Sequence, residues 1–385
     1  MKVAVTTLAV CTAALLALGL VMLYSSSWAL VNRSTHLETG ARDLIMQLIW
    51  CAVGFVFCVA ATAIDYQWLK KLVWPILIFA VVMLMSVFVP HIGRASHGAH
   101  RWIGIGPFTF QPSELGKITL IIVLAWYGDH HQRQMHTFKR GIIFPAMLAG
   151  LILGLIFVEP DRGTTILLSA VTGAMLLIAG VQWKHVLIPV VVGAAALTVS
   201  ILHDPMRMGR IMAWRHPQDH LNGAALQAQQ AMLGLGNGGW FGVGLGNGVR
   251  KFGYLPEIHT DFIFANIGEE LGLIATLFVV VSFVVMAFCG IYIAMHARDT
   301  FGFLLASGIT FLISLQAAIN IGVVTSALPN KGLPLPFISY GGSNLLAMLT
   351  CIGLLFSVAR QAHAREKVSE SIVDHGDNPF AAKAT

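Results

Sequence analysis

The stretch LGLIATLFVVVSFVVMAFCGIYIAM, which occupies Leu271–Met295, contains no charged residue. A helix of this length can cross the hydrocarbon core of a bilayer, because a crossing needs about 20 apolar residues at about 1.5 Å of rise each. Across all 385 residues, 56% are hydrophobic and only 11% are charged. A soluble globular protein has about 25% charged residues, so the composition predicts an integral membrane protein whose apolar side chains face lipid.

Nine further apolar runs predict, together with this one, an all-α integral membrane protein of about ten transmembrane helices. The other runs are Val3–Tyr24, Leu44–Ile64, Leu72–Val89, Ser113–Tyr127, Ile142–Val158, Thr164–Val181, Val186–Leu202, Phe301–Val324 and Gly341–Val358. We predict a polytopic membrane domain at 1–360, with a large extracytoplasmic loop between spans 7 and 8, and a disordered cytoplasmic tail at 361–385.

The distribution of charge predicts the orientation and excludes one class of protein. An even number of spans places both termini on one side, and Arg360, Arg365 and Lys367 after the last run predict that this side is cytoplasmic. The formal net charge is +6, but the basic residues are scattered among connecting loops, which excludes a nucleic-acid-binding stripe. The five cysteines lie in apolar runs without a CxxC pair, so we expect neither a disulfide framework nor a metal site.

Charged residues in or beside the predicted spans are candidates for function, because burying a charge in a membrane is costly. Glu114 and Lys117 lie three residues apart on one helix face, where they form either a structural ion pair or a pair at the mouth of a substrate cavity that binds phosphate. Arg101 is suited to forked phosphate recognition. Glu159 and Asp161 lie in a tight turn that either holds a cation or a sugar or is simply solvated.

Two segments rich in glycine and proline predict unusual backbone. Eight glycines lie within Gly234–Gly248, and the GxGxxG match there is not a dinucleotide site, because no strand precedes it. We interpret this segment as close backbone packing, and an anion cradle of N–H groups is the alternative. The stretch LPNKGLPLPFISYGGS at Leu328–Ser343 predicts the wall of a cavity, with Lys331 near its outer rim.

Asp261 lies where the long loop enters the helix that contains Leu271–Met295. We expect Thr260 or Asp261 to cap this helix, and the helix dipole favours the charged form of an aspartate there. A more acidic carboxyl is a weaker base, so proton abstraction by Asp261 would need a polarised hydroxyl or a cation nearby.

Six segments, in order, resemble the motifs of the SEDS (shape, elongation, division and sporulation) family over about residues 10–360. They are Gly98–Ile103, Phe110–Lys117, Glu159–Thr164, Leu255–Ala265, Gly268–Gly272 and Pro336–Ser343. Within the family, Pro329–Pro336 looks more like the division branch than the elongation branch, and the sporulation branch is a close relative. Arg162 and Asn344 depart from the usual pattern.

The resemblance implies a peptidoglycan glycosyltransferase of the bacterial cytoplasmic membrane that polymerises lipid II on the outer face, for septal wall synthesis. It implies Asp261 as the essential carboxylate, which we expect to act as general base on the acceptor sugar hydroxyl. It also implies a class B penicillin-binding transpeptidase and other divisome membrane proteins as partners. We expect Glu159, Asp161, Glu269 and Glu270 to be structural motif residues. The candidates for binding pyrophosphate or sugar are Arg101, Glu114, Lys117, Arg207, Arg210, His259, Lys331 and Ser339.

Three questions stay open at this point. A divalent cation, Mg²⁺ or Mn²⁺, is an alternative to basic side chains for offsetting pyrophosphate charge, although no metal-ligand spacing stands out. A lipid II flippase is an alternative function, because broken helices and intramembrane charges also suit transport. A non-catalytic divisome scaffold is the third, in which the charged loop residues would be dispensable.

Overall fold

The computed structural model describes residues 1–31, 37–89, 93–96, 99–105, 108–215, 224–250 and 259–376. Within them, a bundle of α-helices carries a small sheet at one end. The helices are α1 Lys2–Val31, α2 Leu37–Ala63, α3 Gln67–Lys71, α4 Val73–Ser86, α5 Pro112–His130, α6 Phe144–Val158, α7 Arg162–Ile178, α8 Trp183–Leu202, α9 Pro205–Arg215, α10 Ala224–Asn237, α11 Ile263–Met295, α12 Thr300–Val324 and α13 Gly342–Gly376. A 3₁₀ turn lies at Gln132–Gln134 and a π-helical turn at Lys139–Ile143.

Seven segments of the described chain are long and apolar enough to cross a membrane. They are Lys2–Ser26, Arg42–Ala63, Lys139–Val158, Trp183–Leu202, Ile263–Met295, Thr300–Val324 and Gly342–His363. The other three predicted spans coincide with α4 of 14 residues, α7 of 17 residues and the charge-bearing α5. The helical membrane fold is confirmed, and the count of ten stays a prediction.

The helices α5 and α12 are largely enclosed within the bundle. Almost the whole first half of α5 is buried, including Glu114 and Lys117, and α12 buries Gln316 and Asn320 among apolar residues. The outer helices instead expose large apolar side chains, such as Phe55 and Val192. This distribution is that of a protein in lipid, where apolar surface needs no cover and buried polar groups need partners.

A small antiparallel sheet replaces the loop that we predict before α5. Its strands are β1 Gly93–Ser96, β2 Ala99–Ile105 and β3 Phe108–Phe110, in the order β1-β2-β3. Ile103 pairs with Phe110, and Arg94 pairs with Trp102. The sheet sits directly before Pro112, the first residue of α5, and it carries Arg101 at the end of the bundle where the predicted site residues gather.

The glycine-rich segment packs across a break in α11. Gly272 has φ 76° and ψ −171°, which interrupts the helix, and the N–H of Val243 donates to the carbonyl of Glu269 at 2.9 Å. A Cβ built on Gly272 would lie 2.4 Å from the nitrogen of Gly242. Only glycine permits this approach at a positive φ, so the prediction of close backbone packing is confirmed.

Three smaller predictions need correction. The last helix continues to Gly376, into the segment predicted to be disordered, because residues 361–375 contain strong helix formers and no glycine or proline. The segment predicted as the long loop contains α9 and α10. The four-residue spacing of Gly150 and Gly154 predicts close helix packing, but a Cβ built on either glycine would meet nothing within 4 Å, so this prediction is wrong.

Candidate functional site

Asp261 lies at one end of the bundle, half-buried in the turn before α11. Its backbone carbonyl accepts a hydrogen bond from Nδ2 of Asn320 at 2.8 Å. The same amide nitrogen donates to the carbonyl of Leu333 at 2.7 Å. Asn320, on the last turns of α12, therefore ties the Asp261 turn to the segment that crosses this end of the bundle, residues 325–341.

The side chain of Asp261 lies against Gly332. A Cβ built on Gly332 would be 2.6 Å from Oδ2 of Asp261, closer than a real Cβ approaches any atom. The backbone of Gly332 has an ordinary φ, so a larger residue here would disturb the neighbouring carboxylate and not the backbone of residue 332 itself. The motif that contains Asp261 and the segment that contains Gly332, about seventy residues apart in sequence, are thus in contact at this carboxylate.

His259 and Ser339 hold the same turn from both sides. The N–H of Tyr340 donates to the carbonyl of His259 at 2.9 Å. The hydroxyl of Ser339 donates to the carbonyl of Thr260 at 2.6 Å and accepts from the N–H of Leu335 at 2.7 Å. The His259 ring is hydrogen-bonded through Nδ1 to the hydroxyl of Ser26 at 2.8 Å. The structure thus uses two predicted substrate ligands to position the turn that carries Asp261.

Lys331 precedes Gly332 and supplies positive charge beside the Asp261 turn. Its side chain is half-buried, and burial lowers the pKa of its ammonium group. Among the described residues, no carboxylate lies within ion-pair distance of Lys331. A cation that is partly withdrawn from water and has no carboxylate partner in the described part of the chain is well suited to an anionic ligand.

Glu114 and Lys117 form an enclosed ion pair. Nζ of Lys117 lies 2.8 Å from Oε1 of Glu114, and the two side chains are 0% and 3% exposed. The ammonium also donates to Oε1 of Gln316 at 3.1 Å. Nε2 of Gln316 donates to Oδ1 of Asn344 at 3.0 Å and to the carbonyl of Pro334 at 2.9 Å. The enclosed geometry agrees with a structural pair, whose network reaches the segment beside Asp261, and phosphate binding by Lys117 stays a prediction.

Arg101 contacts the protein backbone. Its Nε donates to the carbonyl of Glu159 at 3.1 Å, and its Nη2 donates to the carbonyl of Pro160 at 2.6 Å. The forked geometry that we expect to bind phosphate is thus directed at the carbonyl groups that follow α6. This contact links the sheet to the turn between α6 and α7.

The turn between α6 and α7 buries both of its carboxylates, so a solvated turn is excluded. Oδ1 of Asp161 caps α7 by accepting from the N–H of Thr164 at 3.1 Å, and Oδ2 accepts from Nε2 of Gln111 at 3.2 Å. Glu159 is fully buried, and neither of its carboxylate oxygens has a hydrogen-bond partner among the described residues. Burial, and then the charge of Asp161, raise the pKa of Glu159 to about 8, although Arg101 acts in the opposite direction.

Glu269 and Glu270 anchor the glycine-rich segment. Glu269 accepts from the N–H groups of Val249 at 3.0 Å and Arg250 at 3.2 Å. Glu270 accepts from the N–H of Gly246 at 3.0 Å and from the hydroxyl of Ser25 at 2.5 Å. The anion held by these backbone N–H groups is therefore the protein's own pair of carboxylates, which argues against a cradle for an external anion.

Some predicted residues lie outside what the structure describes. The backbone of Arg207 and Arg210 belongs to α9, but their side chains are outside the described residues, as are residues 251–258 of the motif before Asp261. Among the described side chains, no three His, Cys, Asp or Glu lie close enough to hold a metal ion.

The sequence analysis missed Gln316 and Asn320. Both interrupt the apolar run of α12, and they lie four residues apart, on one helix face. Amide side chains that are buried in a membrane protein need hydrogen-bond partners. Two amides four residues apart in an apolar run were therefore the sequence signal that could have identified these residues.

Comparison with known proteins identifies the family. Residues 6–364 match the family described as "Cell cycle protein", which covers the proteins FtsW, RodA and SpoVE. A probable peptidoglycan glycosyltransferase FtsW of Trichlorobacter lovleyi is 39% identical over 90% of each chain. One of Pseudomonas fluorescens is 38% identical, over 97% of this chain and 91% of that protein. The stage V sporulation protein E of Bacillus subtilis is 35% identical, over 92% and 96%.

Solved structures show the same fold. A chain from a peptidoglycan synthase complex, studied for its coordination of polymerization and crosslinking, aligns with a TM-score of 0.74 at 23% identity. The alignment covers 92% of this chain and 97% of that one. The rod shape determining protein RodA of Thermus thermophilus aligns with a TM-score of 0.66 at 25% identity, over 92% and 96%. The chain described here, with the helical architecture and ordered motifs set out above, belongs to the FtsW/RodA/SpoVE family of cell cycle proteins.

Proposed function

We propose that this protein is a peptidoglycan glycosyltransferase that polymerises lipid II, with Asp261 as the general base. One observation carries the proposal: the carboxylate of Asp261 is held at an end of the bundle, against Gly332 and next to the half-buried Lys331. The names of the FtsW relatives support the activity. A carboxylate acting on a sugar hydroxyl is a usual general base.

The reaction joins two lipid-linked sugars. The 4-hydroxyl of an acceptor GlcNAc attacks the anomeric carbon of a donor MurNAc, forming the new C–O bond while the bond from that carbon to the pyrophosphate breaks. The hydroxyl proton passes to Asp261, and undecaprenyl pyrophosphate departs with the bonding electrons. The backbone contacts of Asn320 and Ser339 hold the Asp261 turn in place, which favours catalysis because positioning supplies much of an enzyme's rate.

The departing pyrophosphate needs positive charge, and stabilisation of developing charge is often the largest catalytic contribution. Lys331 is the favoured candidate, since Arg101 and Lys117 are engaged by backbone and side-chain groups. Arg207 and Arg210 stay candidates, because the helix that contains them, α9, lies at the same end of the bundle as Asp261. A divalent cation, Mg²⁺ or Mn²⁺, is a further proposal for this task.

The active end is proposed to face the outside of the cytoplasmic membrane. Basic residues at the opposite end favour a cytoplasmic location for it by the positive-inside rule; they include Lys70, Lys71, Arg133, Lys139, Arg140, Lys184 and Arg360. The segments on the Asp261 side also carry basic residues, Arg94, Arg101, Arg207, Arg210, Arg215 and Arg250, but long loops count little in the rule. Both termini would then be cytoplasmic. The FtsW relatives favour a septal role in cell division, and the likeness to a synthase complex favours a class B penicillin-binding transpeptidase, with other divisome membrane proteins, as partners.

Purified protein mixed with lipid II in detergent tests the activity. We expect glycan polymer, because polymerisation, unlike transport, does not require an intact membrane. Repeating the assay with Mg²⁺, Mn²⁺ or a chelator tests whether a divalent cation is required. Absence of polymer under every condition, with and without the transpeptidase, would refute the proposal.

A lipid II flippase is the second candidate, and the break of α11 at Gly272 favours it, because transporters often contain discontinuous helices. Movement of labelled lipid II across a vesicle membrane without any polymer would support the flippase. A scaffold without catalysis is tested in cells, where growth supported by an Asp261→Asn variant would favour it.

A further inference from the structure

A cavity of about 370 Å³ opens at the end of the bundle away from Asp261. Its walls include Trp74 on α4, Trp126 and Tyr127 on α5, Arg140 in the π-helical turn and Phe144 at the start of α6. Trp74 is 52% exposed and Phe144 is 50% exposed on the outer surface of the bundle. The cavity is therefore open on the side that faces lipid.

The aromatic walls place the cavity at the boundary between lipid and water. The rings of Trp74 and Trp126 meet edge to face with centroids 5.5 Å apart, and Tyr127 stacks on His131 at 4.5 Å. Tryptophan and tyrosine concentrate at the headgroup level of a bilayer, where one part of the ring system is apolar and another is wet. A molecule seated here would have a polar part near His131 and an apolar part near Trp74.

The polar side of the cavity carries uncompensated positive charge. Arg140 is exposed at the cavity, and among the described residues no carboxylate pairs with it. The same holds for the nearby Lys139 and Lys184, whereas Lys70 is paired with Asp129. An anionic ligand in the cavity would therefore meet the guanidinium of Arg140 without competition from a described carboxylate.

The wall that carries Arg140 is fixed by its own contacts. The hydroxyl of Tyr127 donates to the backbone carbonyl of Arg140 at 2.8 Å. A Cβ on Gly141 would lie 2.2 Å from the carbonyl oxygen of Met135, so glycine is needed for the π-helical turn to pack here. Single π-helical turns insert one residue into a helix and occur frequently at functional sites.

We propose that this cavity binds one anionic phospholipid of the surrounding leaflet. The guanidinium of Arg140 binds the phosphate, as its forked donors favour, and the glycerol lies in the cavity. The acyl chains leave along the exposed faces of Trp74 and Phe144. Basic pockets between transmembrane helices are established sites for anionic headgroups, and the proposal is independent of the reaction at Asp261.

Native mass spectrometry of the purified full-length protein tests the site, with phosphatidylglycerol and phosphatidylcholine titrated separately. We expect the first phosphatidylglycerol to bind at least about fivefold more tightly than phosphatidylcholine, the ratio that one basic contact supplies. Arg140→Gln should remove this preference. Arg133→Gln is the matched control, since it removes the same charge from the same end without lining the cavity, and it should leave the preference unchanged.

Equal affinity of the native protein for the two lipids would overturn the proposal, whatever the variants do. Equal effects of Arg140→Gln and Arg133→Gln would also overturn it, because general attraction to negative charge would then be sufficient. Displacement of phosphatidylglycerol by millimolar inorganic phosphate would assign the site to a free anion and not to a lipid. If Arg140→Gln does not fold, Phe144→Ala should weaken binding of both lipids through the apolar wall.

Discussion

Replacing Gly332 by alanine should displace the catalytic carboxylate while leaving the fold intact. The new Cβ would lie 2.6 Å from Oδ2 of Asp261, and ordinary contact begins near 3.4 Å. The carboxylate must therefore move by about 0.8 Å, the difference between these distances. It is the free end of a side chain and Gly332 is exposed with an ordinary φ, so we expect a stability change below about 0.5 kcal/mol.

Activity should respond much more strongly than stability. A misplacement of about 1 Å can cost a factor on the order of 100 in rate, so we expect polymerisation by Gly332→Ala to fall about 10-fold to 100-fold. Initial rates of lipid II polymerisation in detergent, and the unfolding midpoint of the same preparation, would measure both effects. Gly341→Ala is the matched control in the same segment, because its Cβ would meet nothing nearer than 3.9 Å. Native activity in Gly332→Ala would refute the placement of Asp261 at the reacting atoms.

Three further substitutions test the surroundings of the site. Asn320→Leu removes both amide hydrogen bonds to the Asp261 turn; purified protein should lose about 1–3 kcal/mol of stability, and kcat should fall more than KM rises. Lys117→Met leaves Glu114 charged and buried, so the unfolding free energy should drop by about 3–5 kcal/mol, and adding Glu114→Gln should restore part of it. The folded protein keeps a proton on Glu159 up to a pKa of about 8, against 4.5 for the ordinary group, so the native protein loses stability as the pH rises through this window. Glu159→Gln should abolish that loss, and equal unfolding midpoints for the native protein at about pH 5 and about pH 8 would contradict the assignment.

Most of the membrane helices were predictable, because a long run of apolar residues is itself the sequence signal of a segment that lies in lipid. Leu271–Met295 and Phe301–Val324 coincide with parts of α11 and α12. The predicted runs Leu72–Val89 and Thr164–Val181 agree with α4 and α7 to within three residues at each end, although both helices are shorter than a full bilayer crossing. The sheet before α5 was missed because its three strands are short and the sequence around them contains Gly98, Gly104 and Gly106, a composition typical of loops.

The site was predictable at the level of motifs but not of contacts. The sequence predicts that Thr260 or Asp261 caps a helix, whereas the N-cap of α11 is Phe262, whose side chain forms no capping hydrogen bond. The sequence also predicts that the segment around Lys331 lines a cavity, but nothing local specifies that Gly332 meets the carboxylate. Arg101 was assigned to phosphate because a guanidinium binds phosphates and carbonyl groups through the same donors. Which acceptor it meets depends on the packing of β2 against the turn after α6, and that packing is a tertiary property.

The most direct test of the account compares native protein with Asp261→Asn in lipid II polymerisation, with binding of lipid II measured on the same samples. The amide keeps the size of the side chain and the backbone hydrogen bond from Asn320, but it cannot take a proton. We expect polymerisation to fall by about 100-fold to 10,000-fold, the range for loss of a general base, while lipid II affinity and the unfolding midpoint stay close to native. Polymer formed by Asp261→Asn at the native rate would contradict the account.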